Sequence, residues 1–136
     1  MAFVVDASIT AAWMLPDEED PSAEFVHDMV AGELAFVPSV WWFEVRNLLI
    51  VAERRRRVSA TMVDQLLFTL NTYPISLDTK PHERQIVELA RSHSLSIYDA
   101  SYVELAQRLE LPLATLDRRM AEAARSEGIP LIIAAH

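Results

Sequence analysis

The chain has 136 residues, 51% of them hydrophobic, no Cys and a formal charge of −8. That length suffices for a single compact domain, residues 1–136, with a substantial core of its own. Without Cys there are no disulfides, thiolate nucleophiles or Cys-containing zinc sites, and His27, His82, His93 and His136 lack HExxH-like spacing, so any metal here is held mainly by oxygen.

The first segment, Ala2-Phe3-Val4-Val5, is a brief β-branched run that stops at Asp6 and reads as a buried strand. No basic region of the signal-peptide kind accompanies it, and no apolar run in the chain approaches the ~20 residues that span a bilayer. The expected location is therefore the cytoplasm, with no membrane partner. Apolar residues at three- and four-residue spacing predict helices over 9–15 and 22–30. Between them, Asp17-Glu18-Glu19-Asp20 reads as a solvated acidic loop. A second strand is expected at 34–37, stopped by Pro38, and is followed by a long helix over 40–57 that ends on four consecutive arginines, Arg54 to Arg57. Next come a helix over 60–71 with an apolar stripe (Val63, Leu66, Leu67, Leu70), a weak strand at 75–77 and helices over 82–92 and 99–109. A strand at 113–116 ends at Asp117, a helix covers 118–127, and 131–133 is the last apolar run. The two Gly mark neither a linker nor a repeat. Strands alternating with helices pair in parallel through right-handed crossovers. The predicted class is α/β, a three-layer α/β/α fold around a central, mainly parallel sheet of four to five short strands.

In such a sheet, ligands bind beyond the carboxyl ends of the strands. Asp6 and Asp117 both follow a short strand and precede a helix, which places them there; the same position also suits a helix N-cap. Asp99, in Ile97-Tyr98-Asp99-Ala100, opens a helix and invites the same two readings. Glu44 is different, because at helical spacing it shares a face with Val40, Trp41, Asn47, Leu48 and Val51. An ionised carboxylate on an apolar face is costly unless it is paired, here with an Arg, or holds a metal. Several converging carboxylates without Cys or His suit Mg²⁺ or Mn²⁺, as one ion or as two.

The set Val4-Val5-Asp6-Ala7-Ser8, Glu44 with Asn47 one turn later, Tyr98-Asp99-Ala100 and Ala114-Thr115-Leu116-Asp117 resembles the PIN domain, in particular the bacterial VapC-type toxins of toxin–antitoxin pairs. The resemblance runs from Phe3 to Pro130. It implies a divalent-metal endoribonuclease that cuts RNA phosphodiester bonds with a metal-activated water, restrained by a cognate, VapB-like antitoxin. By that analogy Asp6, Glu44, Asp99 and Asp117 ligate the metal or orient the water, with Ser8, Thr115 and Asn47 supporting the carboxylates; local turn and cap bonding explains the two hydroxyls equally well.

A charge of −8 speaks against a nucleic-acid partner, yet the cationic side chains are clustered and bound divalent ions would offset part of the negative charge. Arg118 and Arg119, next to Asp117, are the candidates for a scissile phosphate, while Arg54 to Arg57 read first as a solvated helix end and second as an RNA contact. Of the neighbours Trp41 and Trp42, one is expected at the surface, where a homodimer or an antitoxin helix would use it; Trp13, Trp41 and Trp42 are also possible base-stacking platforms. Receiver-like, phosphatase, NTPase and serine-hydrolase readings lack their motifs. The rival of a different class is a PIN-like module that binds RNA or protein without cutting, and four converging carboxylates weigh against it.

Overall fold

The computed structural model describes residues 2–132. In chain order the elements are β1 (Phe3–Val5), α1 (Ala7–Met14), α2 (Pro21–Val30), β2 (Ala35–Pro38), α3 (Ser39–Arg54), α4 (Ala60–Leu70), β3 (Ile75–Asp78), α5 (Glu83–His93), α6 (Ile97–Leu109), β4 (Leu113–Ala114) and α7 (Arg118–Ser126). All three residues of β1 are wholly buried. Since successive side chains on a strand point to opposite faces, this strand is covered on both sides. The sheet has the order β3-β2-β1-β4 and is parallel throughout, which is the α/β, parallel-sheet class expected from the sequence. Leu131 forms a parallel bridge to Leu113, so the last apolar run begins alongside β4; Ile133 lies outside the described residues.

Polar tethers lock the helices to this frame. Thr10 Oγ1 donates to the Asp6 carbonyl at 2.7 Å and accepts the indole N–H of buried Trp41 at 3.0 Å, joining α3 to α1 and to the end of β1. On the other side, buried Glu104 accepts the His82 N–H and an Arg108 N–H, each at 2.8 Å, and Arg108 reaches Asp78 at 2.8 Å. These bonds tie α6 to the end of β3 and the start of α5. A buried carboxylate persists here because each oxygen has a donor.

Several boundaries differ from expectation. The third helix stops at Arg54 and not at residue 57, because Arg56 adopts a left-handed backbone with φ 60. Arg56 N–H then bonds the Glu53 carbonyl and Arg57 N–H the Ala52 carbonyl, both at 2.9 Å, which is the closing pattern of a Schellman turn. Pro38 is the last residue of β2, paired with Asp78, and not its stop. Ser96 caps α6, so Asp99 is the third residue of that helix and not its cap. Among the described residues no helix is long and apolar enough to cross a membrane.

Candidate active site

Strand order reverses beside β1, with β2 and β3 on one side and β4 on the other, so a crevice opens beyond the carboxyl ends of β1 and β4. A cleft of about 510 Å³ occupies this place, and Asp6, Glu44, Asp99 and Asp117 all line it. They arrive from four directions: the end of β1, the middle of α3, the first turn of α6 and the turn between β4 and α7.

Asp6 is 2% exposed and heavily hydrogen-bonded. Its carboxylate accepts the Ile9 N–H at 3.0 Å, the Ser8 hydroxyl at 2.8 and 2.9 Å from its two oxygens, and the Thr115 hydroxyl. Thr115 Oγ1 also accepts the Asp117 N–H at 2.9 Å, so one hydroxyl bridges the two strand-end acids. Asp117 in turn accepts the Met120 N–H at 2.8 Å. Asp6 and Asp117 are therefore helix caps, and they line the cleft as well. Capping a helix and lining the cleft are thus compatible in the same carboxylate.

Among the described residues no arginine pairs with Glu44; Tyr102 donates its hydroxyl to Glu44 Oε1 at 2.6 Å. Tyr102 is 1% exposed and lines the cleft. By its spacing in the sequence Tyr102 falls on an apolar helix face with Val103, Leu105 and Ala106; its position three residues after Asp99, hence on the same side of α6, is the signal for a polar role. Among the described residues no ion pair reaches any of the four acids. Their titration shows the consequence. Burial pushes the Asp6 carboxyl up to about 6, against the opposing pull of the Thr115, Ile9 and Ser8 bonds, and the charge of Asp117 adds to the rise. Glu44 is raised by burial and then by the charge of Asp99, while the Tyr102 bond opposes; Asp99 is raised by burial and then by the charge of Asp117. Burial and the neighbouring Glu44 hold the Tyr102 phenol far above its ordinary range, so it remains a donor. The site concentrates negative charge, and among the described residues none of the four acids is paired with a cation.

Ser8 and Asn47 line the cleft too. Arg118 and Arg119 do not: both are exposed, and Arg119 lines a separate depression with His93 and Glu122. The cleft's cationic residues are instead Arg55 and Arg57, at the far end of α3. Arg57 binds Asp17 and Glu18, so these two members of the acidic run are engaged, and Asp20 caps α2. Of the tryptophans, Trp41 is buried, Trp13 stacks on His27, and Trp42 is at the surface beneath the Arg46 guanidinium, 4.0 Å from its ring centre. None of the three lines the acidic cleft.

Residues 3–126 match the family model described as the PIN domain. Over 125 residues the chain is 33% identical to Ribonuclease VapC3 of Pyrobaculum aerophilum, an alignment covering 90% of this chain and 94% of that protein. In three dimensions it is similar to the crystal structure of PAE2754 from the same organism, with a TM-score of 0.67 at 18% identity, covering 92% of this chain and 86% of the other. A toxin–antitoxin complex from Klebsiella pneumoniae is likewise similar, with a TM-score of 0.60 at 17% identity and coverage of 85% and 86%.

Proposed function

The chain belongs to the PIN-domain family, and on that premise we propose that it is a divalent-metal-dependent endoribonuclease, the toxin of a type II toxin–antitoxin pair, acting in the cytoplasm. The observation that carries this reading is the convergence of Asp6, Glu44, Asp99 and Asp117 on one cleft with no cationic partner among the described residues. Such a set is expensive to keep charged by itself and becomes favourable once a hard cation is held. The donors fit Mg²⁺ or Mn²⁺, being carboxylate oxygens with no sulfur or imidazole among them. As placed, no three described His, Asp or Glu side chains stand close enough to form a ready ligand group, so holding one or two ions requires the carboxylates to turn toward each other.

When bound, the metal supplies positive charge to the phosphate oxygens and acidifies water. The chain's own contribution is positional. Thr115, Ser8 and the Ile9 N–H anchor the Asp6 carboxylate at the edge of the cleft. Tyr102 fixes Glu44 from beneath, and Asp99, on the first turn of α6, faces both. The partners in this reading are an RNA substrate, a VapB-like antitoxin and a second copy of the chain. Phe43, 67% exposed, and Phe68, 76% exposed, offer the apolar surface such contacts need, and the Klebsiella neighbour is a toxin–antitoxin complex.

The test is cleavage of a broad RNA panel by wild type and by Asp99→Asn. Cleavage is expected with Mg²⁺ or Mn²⁺, is lost on chelation, and falls at least about 100-fold in the variant, because even groups that only orient metal ligands are worth 10–100-fold. A variant that cuts as well as wild type would remove Asp99 from the chemistry and leave a module that binds without cutting.

A further inference from the structure

The face of α3 that carries Glu44 continues to the other end of the cleft. Asn47, Leu48, Val51 and Arg55 line the same cleft at helical spacing, so the acidic centre and Arg55 lie eleven residues apart along one helix face. At 1.5 Å per residue that separation is about 16 Å, the reach of at most about five stacked nucleotides. Arg55 is exposed, and its side chain makes no hydrogen bond or ion pair among the described residues. Beside it, Arg57 turns back over the same cleft because Arg56 closes the helix in a left-handed conformation. Its guanidinium meets Asp17 in a two-pronged contact, Nε to Oδ2 at 2.8 Å and Nη2 to Oδ1 at 2.9 Å, and reaches Glu18 at 2.9 Å. That fork geometry is the one an arginine offers to a phosphate.

We propose that Arg55 and Arg57 form the rail along which the RNA backbone leaves the acidic centre, and that Asp17 and Glu18 hold Arg57 as an internal stand-in which RNA phosphates displace. The inference rests on the ribonuclease reading for its substrate. It replaces Arg118 and Arg119, the arginines adjacent in sequence to Asp117, by two that are distant in sequence and share the cleft. Exposed carboxylates are suitable occupants, since such pairs are weak and exchange readily. The clamp keeps an aligned guanidinium at the cleft of a chain whose net charge of −8 otherwise disfavours RNA.

The experiment measures binding of a labelled single-stranded RNA of about twelve nucleotides, within the usual length of single-strand sites, and KM and kcat on the same RNA. It compares wild type, Arg55→Ala, Arg57→Ala, the double variant Asp17→Asn/Glu18→Gln, and Arg91→Ala on the exposed side of α5 as a charge control. Arg55→Ala and Arg57→Ala are expected to weaken binding about ten-fold and to flatten the salt dependence by about 0.7 each, one single-strand phosphate contact. Their penalty disappears on a dinucleotide too short to reach the rail. The double variant is expected to bind several-fold more tightly. A merely structural clamp gives the opposite sign, with both of its sides weakening RNA binding when broken, and that result overturns the stand-in. Wild-type affinity and salt slope in Arg55→Ala overturn the rail. If wild type cuts RNA while these variants behave like it, only this inference fails; if wild type neither binds nor cuts any RNA, the ribonuclease reading fails with it.

Discussion

Asp6 shows most clearly how one residue serves folding and chemistry at once. Its bonds to Ile9, Ser8 and Thr115 would normally favour the charged form, yet burial outweighs them and the carboxyl sits at about 6, above its ordinary 3.8. A carboxyl raised in this way holds its proton in the folded protein when the unfolded chain has lost it. Its contribution to stability is therefore full below pH 3.8 and disappears as pH rises through about 6. A gap of about two pH units, at about 1.4 kcal/mol each, costs the metal-free protein roughly 3 kcal/mol at neutral pH. Asp6→Asn, with its caps retained, is accordingly expected to melt higher than wild type at pH 8 in chelator, with the advantage shrinking toward pH 4; saturating Mn²⁺ should stabilise wild type more than the variant. Equal pH profiles in thermal melts would show that Asp6 is charged without penalty. The four acids were legible in the sequence because a strand-end Asp, an Asp opening a helix and a Glu on an apolar helix face are local signals. Tyr102 was not, and Arg55 and Arg57 were read only as the second alternative for the run Arg54 to Arg57. A tyrosine on a buried stripe looks apolar until its hydroxyl partner is placed; Arg55 shares the Glu44 face at helical spacing, whereas Arg57 enters the cleft only through a turn that is invisible to periodicity.

That turn belongs to a feature shared by three helices. Arg56, Ser94 and Glu110 close α3, α5 and α6 in the left-handed region, where glycine is the usual residue, and the chain has only two glycines. Of these three ends, the one expected at 109 is met, the one at 92 is a single residue short and the one at 57 is three residues long, since the spacing carries no information about where φ changes sign. Element types fared better: the parallel sheet and the helices followed from run length and period, while the two-residue β4 is defined by its pairing with β1 more than by its own composition. Glu110 tests what this closure costs. Its N–H bonds the Gln107 carbonyl at 3.2 Å and Leu111 N–H the Ala106 carbonyl at 2.9 Å, so the turn itself is well made. Left-handed backbone costs an L-residue about 1–2 kcal/mol, and a glycine regains part of that after its own entropy loss of about 0.5–1 kcal/mol. Glu110→Gly is thus expected to stabilise the fold by about 0.5–1 kcal/mol and raise the melting temperature by about 3 °C. A lower melting temperature would mean that the Glu110 side chain contributes more than its backbone strain costs.

Over the whole molecule, the proposed function makes the binding of RNA and of metal depend on each other through charge. A net charge of −8 repels RNA at long range, and Asp6, Glu44, Asp99 and Asp117 face one cleft. One or two divalent ions bound there would bring two to four positive charges to the centre of the field and offset half or all of the charge of the four acids. The expected behaviour is a coupling of the two ligands, which by linkage must be reciprocal. Affinity for a non-cleavable 2′-O-methyl RNA should rise at least about ten-fold and saturably as Mg²⁺ is added at constant ionic strength, a coupling of about 1.4 kcal/mol. Asp6→Asn separates this from ordinary screening of the RNA, because removing a negative charge makes the metal-free variant bind slightly more tightly than wild type while its gain from Mg²⁺ shrinks. The two titration curves should therefore cross, with wild type weaker at low Mg²⁺ and stronger at high. Curves that rise in parallel would place the cation on the RNA and not in the cleft, and would leave the acidic centre without the role its geometry suggests.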